Sequence, residues 1–303
     1  MEPVLLSEAA YLGPTSASAR DIHAATEAAR LAGWGVYTLA PEGVDGEELL
    51  ARVPDAATVR PAFWAGFIPS VEHYSAVYDE ARQHNLLLPN TPEEHQNAQE
   101  FDRFYSLLGD LTPQSRIVTA PGAAAEAVAQ LGLPVFVKGI VQSRKADGWK
   151  SCVAESVPEL ETLVADLLRR PQRTRGRVAV RKLVRLRHSR TVPGTGFPLG
   201  REFRAFVYRG ETVGLGYYWE GDDPLRRLSS QEEADVRTVV TEAAYRVQTP
   251  YLTVDVGQDE GGRWWVIETG DAQFSGASQV PLLGLYNRLR QATVSDRAEE
   301  NEP

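Results

Sequence analysis

Residues 251–271 read YLTVDVGQDEGGRWWVIETGD and contain two apolar runs on either side of a turn. The turn signal is the polar, glycine-containing segment 259–262, so the two runs are predicted to form a β-hairpin. Asp255 lies in the first run and Glu268 ends the second. If the loop has an even number of residues, the two carboxylates face each other directly or diagonally, about 5–8 Å apart. An odd loop would place them on opposite faces.

Two facing carboxylates have two interpretations. They can hold one or two Mg²⁺ ions, which need oxygen ligands and share them with substrate phosphates. Alternatively, Glu268 is a surface acid at a strand end and Asp255 is an edge charge. Both interpretations stay open at this level, because acids at strand ends are common.

A second pair of charges lies in another apolar run. Glu202 and Arg204 flank Phe203, and the period of two in a strand puts both charged side chains on one face. An arginine there can meet a phosphate bidentately through its planar fork, held by the neighbouring acid. A plain ion pair across the sheet is the alternative.

Lys138 ends the apolar run 135–137, where a lysine costs solvation free energy unless it meets a charge. A phosphate is one such partner, and reaching out to water is the other solution. The polar segment 142–151 follows and carries Lys145 and Lys150 beside a glycine. This composition is typical of a flexible loop over phosphates and equally of an ordinary hairpin loop. No Walker A pattern occurs in the chain.

Composition excludes several classes of protein. The chain has 303 residues and a net charge of −9, and 43% of its residues are hydrophobic, which is enough for a buried core in about two domains. Its single cysteine, Cys152, excludes a disulfide framework and a multi-cysteine zinc site. The N-terminus lacks the features of a signal peptide, and no segment has the ~18 apolar residues that cross a bilayer. These observations predict a cytoplasmic protein without a membrane partner.

Basic residues are concentrated in one segment. Residues 169–190, called the basic run below, contain ten arginines and lysines and no acid. A segment with only positive charges predicts an anionic neighbour. This neighbour can be the protein's own acidic surface, a nucleotide, an acidic substrate or a nucleic-acid strand. A solvated basic loop is the alternative.

The order of predicted elements divides the chain. Over residues 4–88, short apolar runs alternate with helical periodicity, which is typical of a parallel, doubly wound α/β layer. This region lacks a Gly-x-Gly-x-x-Gly turn. Thr91 then caps a helix that begins at Pro92 and is predicted to continue to Leu108. The remainder is predicted to be α+β with antiparallel pairs; its strands lie at 135–138, 178–180, 203–207, 212–219, 251–256 and 264–267, and a helix lies at 230–247.

The order of these motifs resembles the ATP-grasp superfamily, in particular the clade with one arginine and two lysines at the nucleotide site. A helix with Arg103 precedes a strand that ends in Lys138, a basic loop, a strand with Glu202 and Arg204, and the closing hairpin with its two acids. The resemblance covers residues 90–287. It implies a fold of class α/β plus α+β: a Rossmann-like domain at 1–90 and a two-lobed ATP-grasp module at 91–290 with lobes at about 91–180 and 181–290. The polar, acidic composition of the chain end separately predicts a disordered tail at 291–303.

The resemblance also implies residue roles. The catalytic residue is Arg204, which stabilises charge on the transferred γ-phosphoryl group. The segment 181–184 is the hinge between the lobes, where backbone groups meet adenine. The implied ATP-binding residues are Arg103, Lys138, Lys145, Lys150, Lys182, Leu183, Val184 and Glu202, and the implied metal ligands are Asp255, Glu268 and Asp271.

The metal motif departs from the family pattern. The usual ending is Glu-x-Asn, and here it reads Glu268-Thr269-Gly270-Asp271. Gly270 has no side chain to ligate a metal, and Asp271 is the nearest substitute with its register shifted by one.

ATP and Mg²⁺ are the cofactors that the resemblance implies. The implied reaction is a ligation in which ATP converts a carboxylate into an acylphosphate that an amine attacks. The expected partners are small-molecule or peptide carboxylates and amines, an anionic acceptor at the basic run, and a second copy of the chain in a homodimer. Three alternatives remain: a catalytically degenerate nucleotide-binding protein, an ATP-grasp phosphotransferase, and a nucleic-acid-associated protein that uses the basic run. Gly270 in the metal motif supports the first of them.

Overall fold

A parallel sheet forms the N-terminal part of the molecule. The structure is a computed structural model that describes residues 2–44, 50, 53–54 and 57–300. The first elements are the strands β1 (Val4–Ser7), β2 (Gly35–Thr38), β3 (Arg60–Ala65) and β4 (Leu86–Leu87) and the helices α1 (Ala17–Leu31) and α2 (Val71–Gln83). The strand order is β2-β1-β3-β4, and every pair is parallel. The predicted α/β layer is confirmed.

Both faces of this sheet are covered. Leu5 of β1 packs into a core with Ile22 of α1, whereas its neighbours Val4 and Leu6 pack into a core with Val77 of α2. Side chains alternate between the two faces of a strand, so a continuous apolar run marks a strand that is buried on both sides.

The predicted helix at 92–108 is wrong as a single element, because the chain forms α3 (Pro92–Gln99) and α4 (Phe101–Leu108). Thr91 caps α3 in a capping box with Glu94, as its position before a proline predicted. The break is at Glu100, whose backbone is extended at φ −94° and ψ 117°. Ion pairs from Arg175 and Arg177 hold the Glu100 carboxylate there.

An antiparallel sheet forms the first lobe of the rest of the chain. Its strands pair in the order β5-β8-β6-β7. Helix α6 (Val157–Leu168) was not predicted, although its buried residues Leu160, Val164 and Leu167 have helical spacing. The elements are β5 (Ser115–Val118), α5 (Ala124–Leu131), β6 (Val135–Gly139), β7 (Val153–Ala154), α6 (Val157–Leu168), α7 (Pro171–Thr174) and β8 (Val178–Lys182).

A second antiparallel sheet forms the other lobe, in the order β12-β11-β13-β14. It contains the hairpin that the sequence predicted at 251–268. A separate pair of strands, β9 and β10, lies between the lobes in sequence. The elements are β9 (His188–Thr191), β10 (Pro198–Gly200), β11 (Glu202–Tyr208), β12 (Glu211–Tyr217), α8 (Ser230–Val247), β13 (Tyr251–Gln258), β14 (Trp264–Asp271) and α9 (Leu282–Glu300).

The tail differs from the expectation. Helix α9 continues to Glu300, so the chain is helical over 291–300, where the sequence predicted disorder; residues 301–303 lie outside the described residues. Leu289 and Thr293 are buried on this helix, and Arg290 donates through Nη1 to the carbonyl oxygen of Ala32, 2.9 Å away. Helix α9 thus contacts the N-terminal layer immediately before a segment whose polar composition suggests a free end.

The N-terminal layer shares a core with the second lobe. The ring of Phe63 in β3 meets that of Tyr251 in β13 edge-on, with centroids 5.2 Å apart, and Phe206 joins the same cluster. The first lobe has a largely separate core, which is formed by buried apolar side chains from within residues 118–180. Apolar burial therefore fixes the N-terminal layer to the second lobe rather than to the first. In the described part of the chain, no helix is long and apolar enough to cross a membrane.

A buried carboxyl group near the end of β1 makes stability depend on pH. Glu8 accepts hydrogen bonds from Trp64 Nε1 (2.9 Å) and from the backbone N–H of Phe67 (3.0 Å). It lies against Gly66, where a Cβ atom would come within 2.2 Å of Glu8 Oε1. Burial raises the pKa of Glu8 from 4.5 to about 7.

We expect the wild type to lose unfolding free energy relative to Glu8→Gln as pH rises from 4 to 8. The folded state binds the Glu8 proton more tightly than the unfolded state, so this contribution is fully present below pH 4.5 and is lost through pH 7. The loss should be about 3 kcal/mol, from roughly 2.5 pKa units at 1.36 kcal/mol each. Urea unfolding of both proteins across this pH range measures it; parallel pH profiles would refute the assignment.

Candidate active site

A row of charges crosses the second-lobe sheet. Strand pairing places Arg204 of β11 opposite Asp255 of β13, and Asp255 opposite Glu268 of β14. The strands of the hairpin are joined by the five residues 259–263, an odd number that alone would pair Asp255 with Ile267. A bulge between the Asp255 and Val256 pairs shifts the register by one residue and restores the facing carboxylates.

Arg204 binds the opposite strand rather than its neighbour in sequence. Its Nε and Nη2 donate to the two carboxylate oxygens of Asp255, at 2.8 and 2.7 Å, in a bidentate pair. The expectation that Glu202 holds Arg204 is therefore wrong. Burial opposes the charge on Arg204, but Asp255 more than offsets this effect and raises the arginine's pKa.

Lys138 reaches this row from the other lobe. It lies near the end of β6, is 2% exposed, and its ammonium group forms an ion pair with Glu268. Burial lowers the pKa of Lys138, while Glu268 acts in the opposite direction. Burial likewise opposes the charge on Glu268, but Lys138 outweighs it and lowers the pKa of the carboxyl group. A buried lysine thus meets a charge, as its position after an apolar run requires.

The two lysines of the segment 142–151 have different positions. Lys145 lies 3.3 Å from Glu202 Oε2 and is also within 5.4 Å of the ring centroids of Tyr218 and Trp219. Burial opposes its charge, but Glu202 raises the pKa of Lys145 overall. Lys150 is exposed, and the structure does not bring it into the cleft. Lys145 is therefore the lysine of this segment that can face phosphates.

Arg181 is a site residue that the sequence analysis treated only as part of the hinge. Its Nη1 donates to the Ile267 carbonyl oxygen (2.8 Å), but its buried Nε and Nη2 have no partner in the structure. Its guanidinium lies over the ring of Phe101, 4.7 Å from the centroid, and burial lowers the pKa of Arg181 to about 10. Two unpaired donors in a buried arginine indicate an anionic ligand. The sequence signal that could have identified Arg181 as a site residue is its position in β8, directly after the buried apolar residues Val178–Val180.

A cleft of about 490 Å³ lies between the lobes, and its lining includes Lys138, Lys145, Arg181, Glu202 and Glu268. Arg204 and Asp255 do not line it themselves; strand pairing places Asp255 opposite Glu268 and Arg204 opposite Asp255. We call Lys138, Lys145, Arg181, Glu202, Arg204, Asp255 and Glu268 the charge cluster. The segment 182–186 forms another wall, and in the described part of the chain the backbone groups of Leu183 and Val184 make no hydrogen bond. Lys182, Leu183 and Val184 thus line the cleft, and their role as a hinge that meets adenine stays a prediction. The volume is in the range of small-molecule sites.

Arg103 lies outside the cleft. It is exposed on α4, and its guanidinium donates to Gln96 Oε1 (2.7 Å) and Asn97 Oδ1 (3.2 Å). The predicted contact between Arg103 and ATP does not fit this position. The sequence could not reveal this, because the break at Glu100 reorients the helix that carries Arg103.

Asp271 points away from the other two predicted metal ligands. It lies three positions after Glu268, an odd offset, so strand alternation turns its side chain to the opposite face of β14. There it is fully buried and pairs with His95 Nδ1 at 2.9 Å. Gly270 shares the face of Glu268, and a Cβ there would lie 3.1 Å from Thr253 Oγ1.

Two carboxylates therefore remain for a cation. Among the described residues, no group of three or more His, Cys, Asp or Glu could hold a metal ion. Asp255 and Glu268 fit Mg²⁺ nonetheless, since this ion commonly takes one or two carboxylates and completes its shell with phosphates and water. The donor chemistry fits a metal that arrives with a nucleotide better than a resident structural metal.

The basic run does not form one continuous basic surface. Arg175 and Arg177 pair with Glu100, Arg190 pairs with Asp223, and Arg181 lies in the cleft. The protein's own acids, which were one of the predicted anionic neighbours, thus neutralise much of the run.

Solved structures share the fold over nearly the whole chain. A RimK-domain ATP-grasp protein from Sphaerobacter thermophilus DSM 20745 is 14% identical, with a TM-score of 0.60 over 97% of this chain and 100% of that one. The D-alanine–D-alanine ligase of Bacillus anthracis, solved with ATP, is 11% identical, with a TM-score of 0.66 over 99% and 100%. The ATP-grasp ligase PsnB, solved with a minimal precursor, Mg and ADP, is 14% identical, with a TM-score of 0.56 over 97% of each chain. No curated protein matches the chain.

The family assignment comes from the sequence itself. Residues 130–289, more than half of the 303 positions, match an ATP-grasp domain family, the third family of the clade with one arginine and two lysines. The matched region contains every member of the charge cluster and the hinge. The predicted resemblance and the mixed fold class are confirmed, and the chain belongs to this third family of the one-arginine, two-lysine clade of ATP-grasp domains.

Proposed function

We propose that this protein is an ATP- and Mg²⁺-dependent ligase that activates a carboxylate as an acylphosphate for attack by an amine. The observation that carries the proposal is the charge cluster, in which cations from both lobes converge on two facing carboxylates at one end of a nucleotide-sized cleft. The solved ATP-grasp proteins of similar fold include two that are named as ligases. The chemistry of the cluster supports the same class of reaction here.

Each member of the cluster has a role in this proposal. Lys138, Lys145 and Arg181 bind the phosphates, and Arg181, which lines the cleft, has two buried donors without a partner in the structure. Arg204, whose planar fork pairs with Asp255 in the structure, would turn that fork to the γ-phosphoryl group, where negative charge is redistributed during transfer. Asp255 and Glu268 would hold Mg²⁺, which neutralises charge on the phosphates when it is bound.

This reaction needs positioning and charge neutralisation rather than a protein nucleophile. Cys152 is buried, and burial raises the pKa of its thiol, so it is suited to packing rather than to attack. Adenine would bind at Leu183 and Val184, whose backbone groups are free to pair with it.

A catalytically degenerate nucleotide-binding protein is the second candidate. The observation in its favour is the absence of a ligating side chain at Gly270, together with the burial of Asp271 on the other face of the strand. Retention of Asp255 and Glu268 in direct register favours the ligase. Nucleic-acid binding has no comparable support, since acids of the chain pair with much of the basic run.

We expect Mg-ATP to raise the thermal unfolding temperature of the wild type and not that of Lys138→Met. Ligand at a hundredfold excess over its dissociation constant stabilises the folded state by about 2.7 kcal/mol. Lys150→Met is the matched control, because Lys150 is exposed outside the cleft and should leave the shift unchanged. Comparing each variant with and without nucleotide removes any effect of the substitution on folding itself.

An unchanged unfolding temperature for the wild type in millimolar Mg-ATP would overturn nucleotide binding. If the shift occurs, ADP release is screened over pairs of carboxylates and amines with hydroxylamine present. Hydroxylamine converts an acylphosphate into a hydroxamate, so a hydroxamate supports the ligase. ADP release without a hydroxamate supports a phosphotransferase, and no ADP release with any pair supports the degenerate binding protein.

A further inference from the structure

A second cavity lies between the N-terminal layer and the second lobe. It has a volume of about 100 Å³, and its apolar walls include Ile22, Phe63 and Phe67 from the N-terminal layer and Leu282 and Tyr286 from α9. An apolar cavity of about 150 Å³ is large enough for benzene. This cavity therefore admits an apolar group somewhat smaller than a benzene ring.

One charged side chain faces this cavity. Among the described residues that line it, Asp21 alone carries a charge, and it makes no hydrogen bond or ion pair with any other described residue. Burial raises the pKa of Asp21, and nearby Glu220 acts in the same direction, whereas Arg204 opposes them. A half-buried carboxylate without a direct partner is costly unless a cation or donor meets it.

Asp21 lies beside the charge cluster. Arg204 Nη1 donates to the carbonyl oxygen of Gly276 at 2.8 Å. A Cβ atom at Gly276 would lie 2.4 Å from Asp21 Oδ2 and 4.0 Å from Arg204 Nη1. Both charged groups thus lie close to the same glycine, and any side chain at 276 would collide with Asp21.

The loop that covers the cleft connects the two spaces. Gln142 lines the cavity, whereas Ser143 and Lys145 line the cleft. A molecule bound at Asp21 would therefore lie near Arg204, the residue that the proposed ligase uses at the γ-phosphoryl group.

We propose that this cavity binds the amine substrate, with the Asp21 carboxylate holding its ammonium group and the apolar walls holding a small apolar side group. That the bound amine is a substrate rests on the proposed ligase function. The ammonium site itself rests only on the cavity and on Asp21. An ammonium group suits Asp21 because it is a compact cation with several N–H donors. A small amino acid, or the N-terminal residue of a peptide, has the required chemistry.

The probes are L-alaninamide, D-alaninamide, glycinamide and ethylamine at pH 7, with lactamide as the neutral analogue of alaninamide. Dissociation constants are measured by calorimetry for the wild type and Asp21→Asn. We expect at least one ammonium probe to bind the wild type tenfold or more tightly than lactamide, and Asp21→Asn to weaken that probe at least tenfold. Asp79→Asn, at an exposed aspartate on α2, is the matched control.

A second variant tests the same geometry independently. Gly276→Ala places a methyl group against Asp21 Oδ2 and should weaken the same probe while Asp21 is still present. Equal affinity for ammonium probes and lactamide, unchanged binding in Asp21→Asn, or no binding of any probe would each overturn the proposal.

The measurement separates this inference from the proposed function. Probe binding is measured without nucleotide, and the Mg-ATP shift is recorded on the same preparations. Binding of a probe through Asp21 without any Mg-ATP shift would leave the ammonium site standing and remove the ligase. If Mg-ATP raises the unfolding temperature normally but the probes bind the wild type and Asp21→Asn equally well, the ammonium site is refuted and the ligase proposal stands.

Discussion

Arg204→Lys is expected to lower turnover by about 100- to 1,000-fold, the size of effect seen when one preorganised donor to transition-state charge is removed. Lysine keeps the positive charge but loses the planar fork with which Arg204 now binds both oxygens of Asp255. Binding of Mg-ATP should change much less, because Lys138, Lys145 and Arg181 remain. Steady-state ADP release, with the carboxylate and amine identified by the screen, measures the effect.

Arg103→Lys is the matched control for this experiment. The structure places Arg103 on the exposed face of α4, so this substitution should leave turnover within twofold of the wild type. A loss in Arg103→Lys with normal activity in Arg204→Lys would reverse the assignment and favour the role that the resemblance implies for Arg103.

Phe101→Ala is expected to destabilise the protein by about 3–5 kcal/mol, the usual cost of removing a fully buried aromatic ring. Phe101 is 0% exposed and packs edge-on against Phe104 with centroids 5.2 Å apart. The same ring lies beneath the charges of Lys138 and Arg181, 5.5 and 4.7 Å from its centroid. Its loss should therefore weaken Mg-ATP binding as well as folding.

Urea unfolding measures the first effect, and titration of the folded variant with Mg-ATP measures the second. Leu107→Ala is the control on the same helix, since Leu107 is 43% exposed and its truncation should cost less than about 0.5 kcal/mol. Equal losses in the two variants would mean that Phe101 has no special place in the core.

Local sequence signals predict elements whose determinants lie close together in the chain. The helix predicted at 230–247 has the bounds that the sequence indicates, and in the structure Ser229 caps it through its own side chain three residues before Glu232. The single helix expected at 92–108 is wrong because the break at Glu100 depends on Arg175 and Arg177, about 75 residues away. No local pattern contains that information.

In the candidate site, too, local sequence patterns predict some features, whereas contacts between distant parts of the chain determine others. The period of two in a strand is sufficient to place Glu202 and Arg204 on one face and to turn Asp271 away from Glu268. The partners of these groups were not predictable, since Lys138 meets Glu268 across 130 residues and from another sheet. The bulge beside Asp255 was equally invisible, because it compensates for an odd loop by a change of register within the hairpin.

The ion pairs of the charge cluster have a thermodynamic consequence. Its four cations and three carboxylates nearly cancel, and each carboxylate is paired with a cation in the structure. Phosphates that bind without Mg²⁺ would draw the cations away from the buried carboxylates and leave these without a counter-charge. Mg²⁺ that binds without phosphates would take the carboxylates and leave the cations without a counter-charge. Each arrival therefore lowers the free-energy cost of the other, and linkage requires this positive cooperativity to be the same in both directions. Under the proposed function, a cleft that is self-neutralised in this way would favour the complex of ATP with Mg²⁺ over either of them alone.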